Sequence, residues 1–85
     1  MRMTAEMRPA AGWGRLHATV TGVPAGEECR LVVIAPDGHR EQGASWLASA
    51  SGSTTVDGSA LMAPATVTAV QAETYEGRVL ITLML

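Results

Sequence analysis

The sequence predicts an all-β fold: a small antiparallel β-sandwich, immunoglobulin-like, with about six or seven short strands. Runs rich in Val, Leu, Ile and Thr either alternate with polar residues or are apolar on both faces, as strands do. Turn signals built from Gly, Pro and Asp separate these runs roughly every 8–12 residues, which is the spacing of sandwiches and small barrels. No segment shows the periodicity of a helix longer than about three turns.

Length and composition agree with one domain that has one core. The chain has 85 residues, of which 47% are hydrophobic. A chain of this size buries roughly 60–65% of the surface that its unfolded form exposes. Much of the hydrophobic fraction is Ala, which buries little area, so we expect the core to depend on Val, Leu, Ile, Met and the two Trp residues.

The sandwich domain is predicted to comprise residues 13–85. Residues 1–12 mix charged and small residues, and Pro9 interrupts the loosely helical spacing of their Met and Ala residues. We interpret residues 1–12 as a flexible tail or linker, with a short amphipathic helix as the alternative.

Two strands are predicted in the first part of the domain. Residues 13–21 alternate, with Leu16, Ala18 and Val20 on one face, which indicates a half-buried strand. After a turn that contains Pro and Gly, residues 28–35 are apolar on both faces. This composition predicts a central strand that is covered at least partly on each side.

A hairpin is predicted next, because Asp37 and Gly38 lie between two strand-like runs. The returning strand, residues 39–49, contains Gly43. A Gly inside a strand predicts a bulge or a close backbone approach, here one that would make room for Trp46 in the core.

The middle of the chain is predicted to change layers. Residues 53–56 form a short Thr-rich strand, and Asp57 and Gly58 are a candidate turn or bulge. Residues 61–65, which contain a Pro, are predicted to cross between the two sheets.

The last two strands are predicted at residues 66–74 and 78–85. In the first of them we expect Val70 and Ala72 to face inward. The second is apolar on both faces, so we expect it to lie centrally in a sheet, since at an exposed edge it would be an aggregation hazard.

Charge and cysteine content exclude several classes. The net charge is −2 and the basic residues are scattered, so no basic stripe exists for binding the phosphates of a nucleic acid. The single Cys29 cannot form an intrachain disulfide; we interpret it as a small buried hydrophobe, with a reactive thiol or an intermolecular disulfide as alternatives. No run of about 20 apolar residues and no signal-peptide pattern is present, although a domain cut from a longer exported or anchored protein would look the same.

Motifs for catalysis are not found. His17 and His39 could approach each other only if the first and third strands paired suitably, and a metal site would also need a carboxylate or Cys at short range. Most acidic residues fall in turns or on predicted outward faces. The sequence contains neither a Gly-x-Ser-x-Gly elbow nor a Gly-rich phosphate loop. We therefore predict a protein that is not an enzyme, with no catalytic, metal-binding or cofactor-binding residue.

Aromatic residues supply the candidate ligand-binding positions. Trp13, flanked by two Gly residues, either closes one end of the core or is half exposed. An exposed Trp13 beside Tyr75 would form a platform for a sugar or a peptide. Trp13 and Tyr75 are therefore the candidate ligand-binding residues.

The order of turns and strands resembles one family, the C-terminal extracytoplasmic domain of actinobacterial membrane-anchored anti-sigma factors, of the zinc-finger or anti-sigma-K-like kind. In its pattern, a turn of Gly, a hydrophobic residue, Pro, any residue and Gly precedes a Leu- and Val-rich strand, and a Gly-x-x-Trp segment follows an Asp-Gly turn. All six basic residues are Arg, and Lys and Asn are absent, as the codon bias of a high-GC bacterial genome would produce. The segments that carry the resemblance are residues 12–16, 20–26, 29–34, 37–38, 43–46, 60–70 and 76–80.

The resemblance implies a regulatory or sensory domain without catalytic residues. Full-length members have a cytoplasmic sigma-binding domain, often with a His-x-x-x-Cys-x-x-Cys zinc motif, then one membrane helix, and then this domain outside the membrane. Release of the sigma factor commonly depends on regulated proteolysis that begins outside. The sigma-binding part and the membrane helix are absent from this chain, so its implied partners are other parts of the regulator and a protease or partner protein.

Three interpretations follow. The first is the anti-sigma-factor domain, which would shield or present a cleavage site in the segment before Trp13. The second is an extracellular module that binds carbohydrate or peptide through Trp13 and Tyr75. The third is a purely structural domain that oligomerises through an exposed strand edge.

Overall fold

The computed structural model describes residues 1–85 as two packed antiparallel sheets. One sheet has three strands in the order β1-β2-β5, and the other has four in the order β4-β3-β6-β7. The predicted small antiparallel β-sandwich is confirmed. Strands 1, 2 and 5 in one layer and 3, 6 and 7 in the other are the immunoglobulin-like arrangement, with β4 placed beside β3. The elements are β1 (Arg2–Pro9), β2 (Gly14–Thr21), β3 (Glu28–Ile34), β4 (Arg40–Leu47), β5 (Ser53–Ala60), a 3-10 helix (Pro64–Thr66), β6 (Ala69–Thr74) and β7 (Val79–Met84).

The core lies between the sheets and is built from the inward positions of each strand. Alternation puts one side chain in two on the inner face, and the predicted inward residues of β2 and β6 are buried there. β3 is central, between β4 and β6, as predicted. The largest side chains with almost no exposure are Leu16, Leu31, Val33, Val70 and Cys29.

Residues 1–12 are not a tail, and the alternative of a helix is also wrong. Arg2–Pro9 forms β1, which pairs with β2 along its whole length. Met3 is 5% exposed, and Ala5 and Met7 pack against the core on the same face. The period of two was therefore present in the sequence. Thr4, Glu6 and Arg8 alternate with Met3, Ala5 and Met7, but the run is short and Pro9 ends it, so it was not interpreted as a strand.

The last strand is not central. β7 pairs only with β6 and forms an edge of the four-stranded sheet. Val79 and Met84 are 53% and 70% exposed. Apolar residues on both faces normally indicate a central strand. In β7, Leu80, Ile81 and Leu83 pack against the core, whereas Val79, Thr82 and Met84 are exposed to solvent.

Gly43 of β4 and Gly58 of β5 let the two sheets approach closely where these two edge strands meet. β5 continues through Asp57 and Gly58 to Ala60 with an unbroken register against β2, so the predicted turn or bulge at that point is wrong. A Cβ on Gly58 would collide with the Gly43 carbonyl oxygen, and one on Gly43 would lie 2.6 Å from Leu16 Cδ2. The pairing of β3 with β4 shifts by one residue beside Gly43, so both the predicted bulge and the predicted close approach are confirmed. The missing side chain of Gly43 leaves room for Leu16, and the Gly43 backbone lies directly against Gly58. The prediction that this room serves Trp46 is wrong.

The predicted connections are also confirmed. The β3–β4 turn has Gly38 at φ 89°, where only Gly is unstrained, and the Asp37 carboxylate accepts the His39 N–H at 2.9 Å. Residues 61–68 cross from the three-stranded to the four-stranded sheet through the 3-10 helix. None of the chain's helical structure has the length and apolar character needed to span a membrane.

Candidate functional site: an aromatic recess beside a charged network

Trp13 and Tyr75 lie at opposite ends of the sandwich. Trp13 directly precedes β2, and Gly14, the first residue of β2, lies close to Met62 and Pro64 of the crossing segment. At the end of that segment, the Thr68 N–H donates to the carbonyl of Ile34, the last residue of β3. The Tyr75 N–H donates to the Glu28 carbonyl at the N-terminal end of β3. The seven residues of β3, about 20 Å, therefore separate the two ends. The structure does not bring the two predicted ligand-binding residues together.

Trp13 has a different neighbour. It is half-buried, and the Arg15 guanidinium lies 5.6 Å from the centroid of its ring. This is a cation–π distance. The pair lies at the start of β2, the middle strand of the three-stranded sheet.

Tyr75 shares a surface recess with Trp46, which we call the aromatic recess. Its volume is about 380 Å³. Tyr75 is 53% exposed and Leu47 63%, whereas Trp46 is half-buried and also packs against the core. The lining residues are Gly26, Glu28, Ser45, Trp46, Leu47 and Tyr75.

Strand register places these side chains together. Cys29 of β3 pairs with Trp46 of β4 on one side and with Thr74 of β6 on the other. Tyr75, the residue after Thr74, therefore lies at the same end of the sheet as Trp46 and Leu47. Gly26 has φ 87° and donates its N–H to the Ala48 carbonyl at 3.0 Å. This bond holds the β2–β3 loop against the end of β4. Because Gly26 has no side chain, the recess stays open on that side.

A charged network on the outer face of the four-stranded sheet borders the recess. The Glu73 carboxylate accepts hydrogen bonds from Arg30 Nε and Arg40 Nη2, each at 2.8 Å, and from Gln71 Nε2 at 3.3 Å. The Arg30 guanidinium in turn lies 5.8 Å from the Tyr75 ring centroid. Arg30 thus lies between the buried carboxylate and the aromatic wall of the recess.

The ionisation of Glu73 follows from this arrangement. Burial alone raises the pKa of the carboxyl group, but the hydrogen bonds from Arg40 and Arg30, with the Arg40 charge, outweigh it and hold the pKa of Glu73 below its usual value. The side chain is 3% exposed, so its charge is balanced by protein groups rather than by water.

A second polar cluster occupies the outer face of the three-stranded sheet. Glu6, His17 and Asp57 stand in one row across β1, β2 and β5, and His17 Nδ1 lies 2.5 Å from Asp57 Oδ1. A shallow polar depression of about 480 Å³ lies beside them, also lined by Arg8 and Arg15. No three side chains of His, Cys, Asp or Glu are placed to hold a metal ion. The row is exposed; His17 contacts Asp57, and Glu6 lies 3.6 Å from Arg8.

Cys29 is buried, as expected. It is 0% exposed, and burial, together with the negative charge of Glu27, raises the pKa of its thiol. A protonated, enclosed thiol is a poor nucleophile.

The recess is only partly foreseen by the sequence. Tyr75 was a predicted binding residue, while Trp46 was interpreted as a core residue, and Leu47 was not singled out. Trp46 does pack on the core, but β4 is an edge strand, so the ring also meets solvent. The predicted bulge at Gly43 is one sequence signal of an edge strand, and the neighbouring Leu47, out of phase with the inward residues, is a second hint.

Comparisons with known proteins identify no relative. A scan of protein-family models, a search of curated proteins and a search of solved structures each found no match to this chain.

Proposed function

We propose that this chain is a non-catalytic regulatory domain of a membrane-anchored anti-sigma factor, positioned on the extracytoplasmic face of the membrane. The support is the resemblance in residues 20–46, whose loop, strand and hairpin form one continuous unit around β3. In that unit the characteristic residues serve the scaffold: Gly26 and Gly38 turn the chain, and Gly43 forms the bulge.

In this proposal the sandwich protects the regulator from premature proteolysis. The segment before Trp13 was expected to offer a cleavage site because it looked irregular, and its placement in β1 removes that basis. A protease needs a backbone segment that can leave its neighbours, and every residue of β1 is paired with β2, so cleavage within β1 requires this pairing to open first. We propose that holding residues 2–9 in the sheet is how the domain shields the chain that leads to the membrane.

The genomic reading frame around this sequence tests the proposal. We expect the codons upstream of Met1 to encode, in the same frame, a single apolar helix of about 20 residues and a domain with the His-x-x-x-Cys-x-x-Cys motif. N-terminal sequencing of the native protein that places its first residue at Met1 would contradict the proposal.

The aromatic recess favours a second candidate, a module that binds carbohydrate or peptide. Trp46, Leu47 and Tyr75 offer apolar and aromatic surface, with Glu28 and Ser45 as polar groups beside it. In a Trp13→Phe background, where Trp46 is the sole Trp, a ligand in the recess would change the Trp fluorescence. A panel of cell-wall saccharides and peptides that produces saturable quenching, lost in Tyr75→Ala, would support this candidate. Quenching that Tyr75→Ala leaves unchanged would count against it.

A further inference from the structure

We propose that β1 is a releasable strand, which leaves the three-stranded sheet as a unit while the other six strands stay folded. β1 is an edge strand whose one neighbour in the sheet is β2, and β2 keeps β5 on its other side when β1 leaves. The release itself is inferred from the contacts of β1. Its role, as the step that lets a protease reach residues 2–9, rests on the regulatory proposal.

The outward side chains of β2 are joined to β5 and not to β1. The contacts between β2 and β5 are His17 with Asp57, Thr19 with Thr55 at 3.1 Å, and Thr21 with Ser53 at 3.5 Å. The side chains of β1 make no hydrogen bond or ion pair with another element, and the one ion pair of β1 joins Glu6 to Arg8 within the strand. β1 can therefore leave without breaking a side-chain contact that holds β2 to β5.

Register sets two like charges against each other near the end of β1. Arg8 pairs directly with Arg15 of β2, so the two side chains leave the same face of the sheet. Like charges directly opposite each other in an antiparallel pair are destabilising. Pro9, the last residue of β1, has no N–H to donate. This end of β1 therefore opposes its own pairing with β2.

Few side chains hold β1 on the core. Met3, at 5% exposure, is the one buried residue of β1, whereas Ala5 and Met7 are half-buried. Across the core, β1 contacts β7 and the 3-10 helix. The neighbouring strand β2 has four buried residues. Because Ala5 is small and Met7 is only partly covered, release of β1 uncovers less apolar surface than loss of β2 would.

Release converts residues 2–9 from a protected segment into a cleavable one. The segment becomes an unpaired chain, and the backbone groups of β2 that faced β1 meet solvent. In the regulatory proposal the membrane helix lies on the N-terminal side of the sandwich. A cut within residues 2–9 would then separate β2–β7 from that helix without unfolding them.

Native-state amide hydrogen exchange of the 85-residue chain, followed by NMR at low urea concentrations, tests the proposal. We expect the amides of β1 that face β2 to share one exchange rate, at least about tenfold faster than in β3 and β6 and almost independent of urea, because their opening exposes little surface. The amides of β2 should form two alternating classes. Those that face β1 should exchange with β1, and those that face β5 should exchange with β3 and β6.

Val32→Ala separates release of β1 from unfolding of the whole domain. Val32 is buried but lies outside the core cluster, between the inward residues Leu31 and Val33, so its side chain is on the outer face of the four-stranded sheet. Truncation there should speed exchange in β3 and β6 about tenfold, through global unfolding. Exchange in β1 should not change, because the form with β1 released keeps Val32 in place.

Arg8→Glu tests the opposed charges directly. The substitution places a carboxylate opposite Arg15, and it should slow exchange in β1 about threefold. Arg2→Glu is the matched control, because it makes the same change of charge in the same strand but opposite Thr21. The control should leave the exchange rate of β1 within about twofold of the wild type.

Three outcomes would overturn the proposal. One is exchange in β1 with the rate and urea dependence of β3 and β6, which would mean that β1 leaves only when the whole domain unfolds. Another is an equal acceleration of β1 and β3 by Val32→Ala. The third is protection that rises steadily from Arg2 to Arg8, which would indicate fraying of the chain end and not release of a unit. The reading frame upstream of Met1 tests the regulatory proposal separately.

Discussion

Glu73 is the one charged residue that the fold buries. Its hydrogen-bond partners are set by the register in which the strands pair. Its carboxylate meets Arg30 and Arg40, which are 43 and 33 positions away in the chain. Inward residues such as Val70 could be predicted from alternation alone. The Glu73 network could not, because it depends on which strands pair and with what offset.

Removing the Glu73 charge should destabilise the protein. Glu73→Gln leaves two guanidinium groups without their shared carboxylate, and breaking a buried ion pair from one side costs about 3–5 kcal/mol. Arg30 and Arg40 keep partial access to water, so we expect the lower end, about 3 kcal/mol, by urea unfolding. The control Glu6→Gln removes an exposed carboxylate 3.6 Å from Arg8 and should change stability by less than about 0.5 kcal/mol. Equal effects of the two substitutions would contradict the assigned role of Glu73.

Glu73 should also make stability depend on pH. Because the folded pKa lies below the usual value of 4.5, the unfolded chain binds its proton first as the pH falls. The stabilisation is therefore fully present above the unfolded pKa and is lost as the pH falls through the folded pKa. Urea unfolding between pH 7 and pH 3 should show a smaller acid loss in Glu73→Gln than in the wild type. An identical loss in both proteins would exclude this residue as the source.

At the scale of elements, the sequence predicted which segments are strands better than it predicted their places in the sheets. β2, β3 and β6 were identified with their inward faces, and the Asp37-Gly38 hairpin was correct, because alternation and turn chemistry are local. β1 was missed, and β7 was placed centrally. Both strands are edges, and alternation within a strand does not say which other strand lies beside it.

The contact between β4 and β5 gives the clearest test at this scale. Gly58→Ala would drive a methyl group into the Gly43 carbonyl, and backbone on both sides leaves little room to relax. We expect a loss of about 3 kcal/mol, the upper end of overpacking costs, measured by chemical denaturation. Ser59→Ala, the next residue in the same strand and exposed, should change stability by less than about 0.5 kcal/mol. A Gly58→Ala protein as stable as the wild type would show that the sheets lie further apart there.

At the scale of the whole molecule, the architecture was predictable and the candidate site was not. Short strands at regular intervals lead to a sandwich, whatever its strand order. The aromatic recess forms where the ends of β4 and β6 lie on either side of β3, so it exists only once the fold is complete. Tyr75 was identified as a binding candidate from its chemistry, but its partner in space is Trp46 and not Trp13.

The regulatory proposal makes its most direct prediction in the organism that encodes this sequence. Excision of codons 1–85 in frame would remove the sandwich and leave the other parts of the proposed regulator. If the sandwich shields an anti-sigma factor from proteolysis, RNA sequencing should show increased transcription of a set of genes that share one promoter type. A transcriptome unchanged by the excision would contradict the proposal.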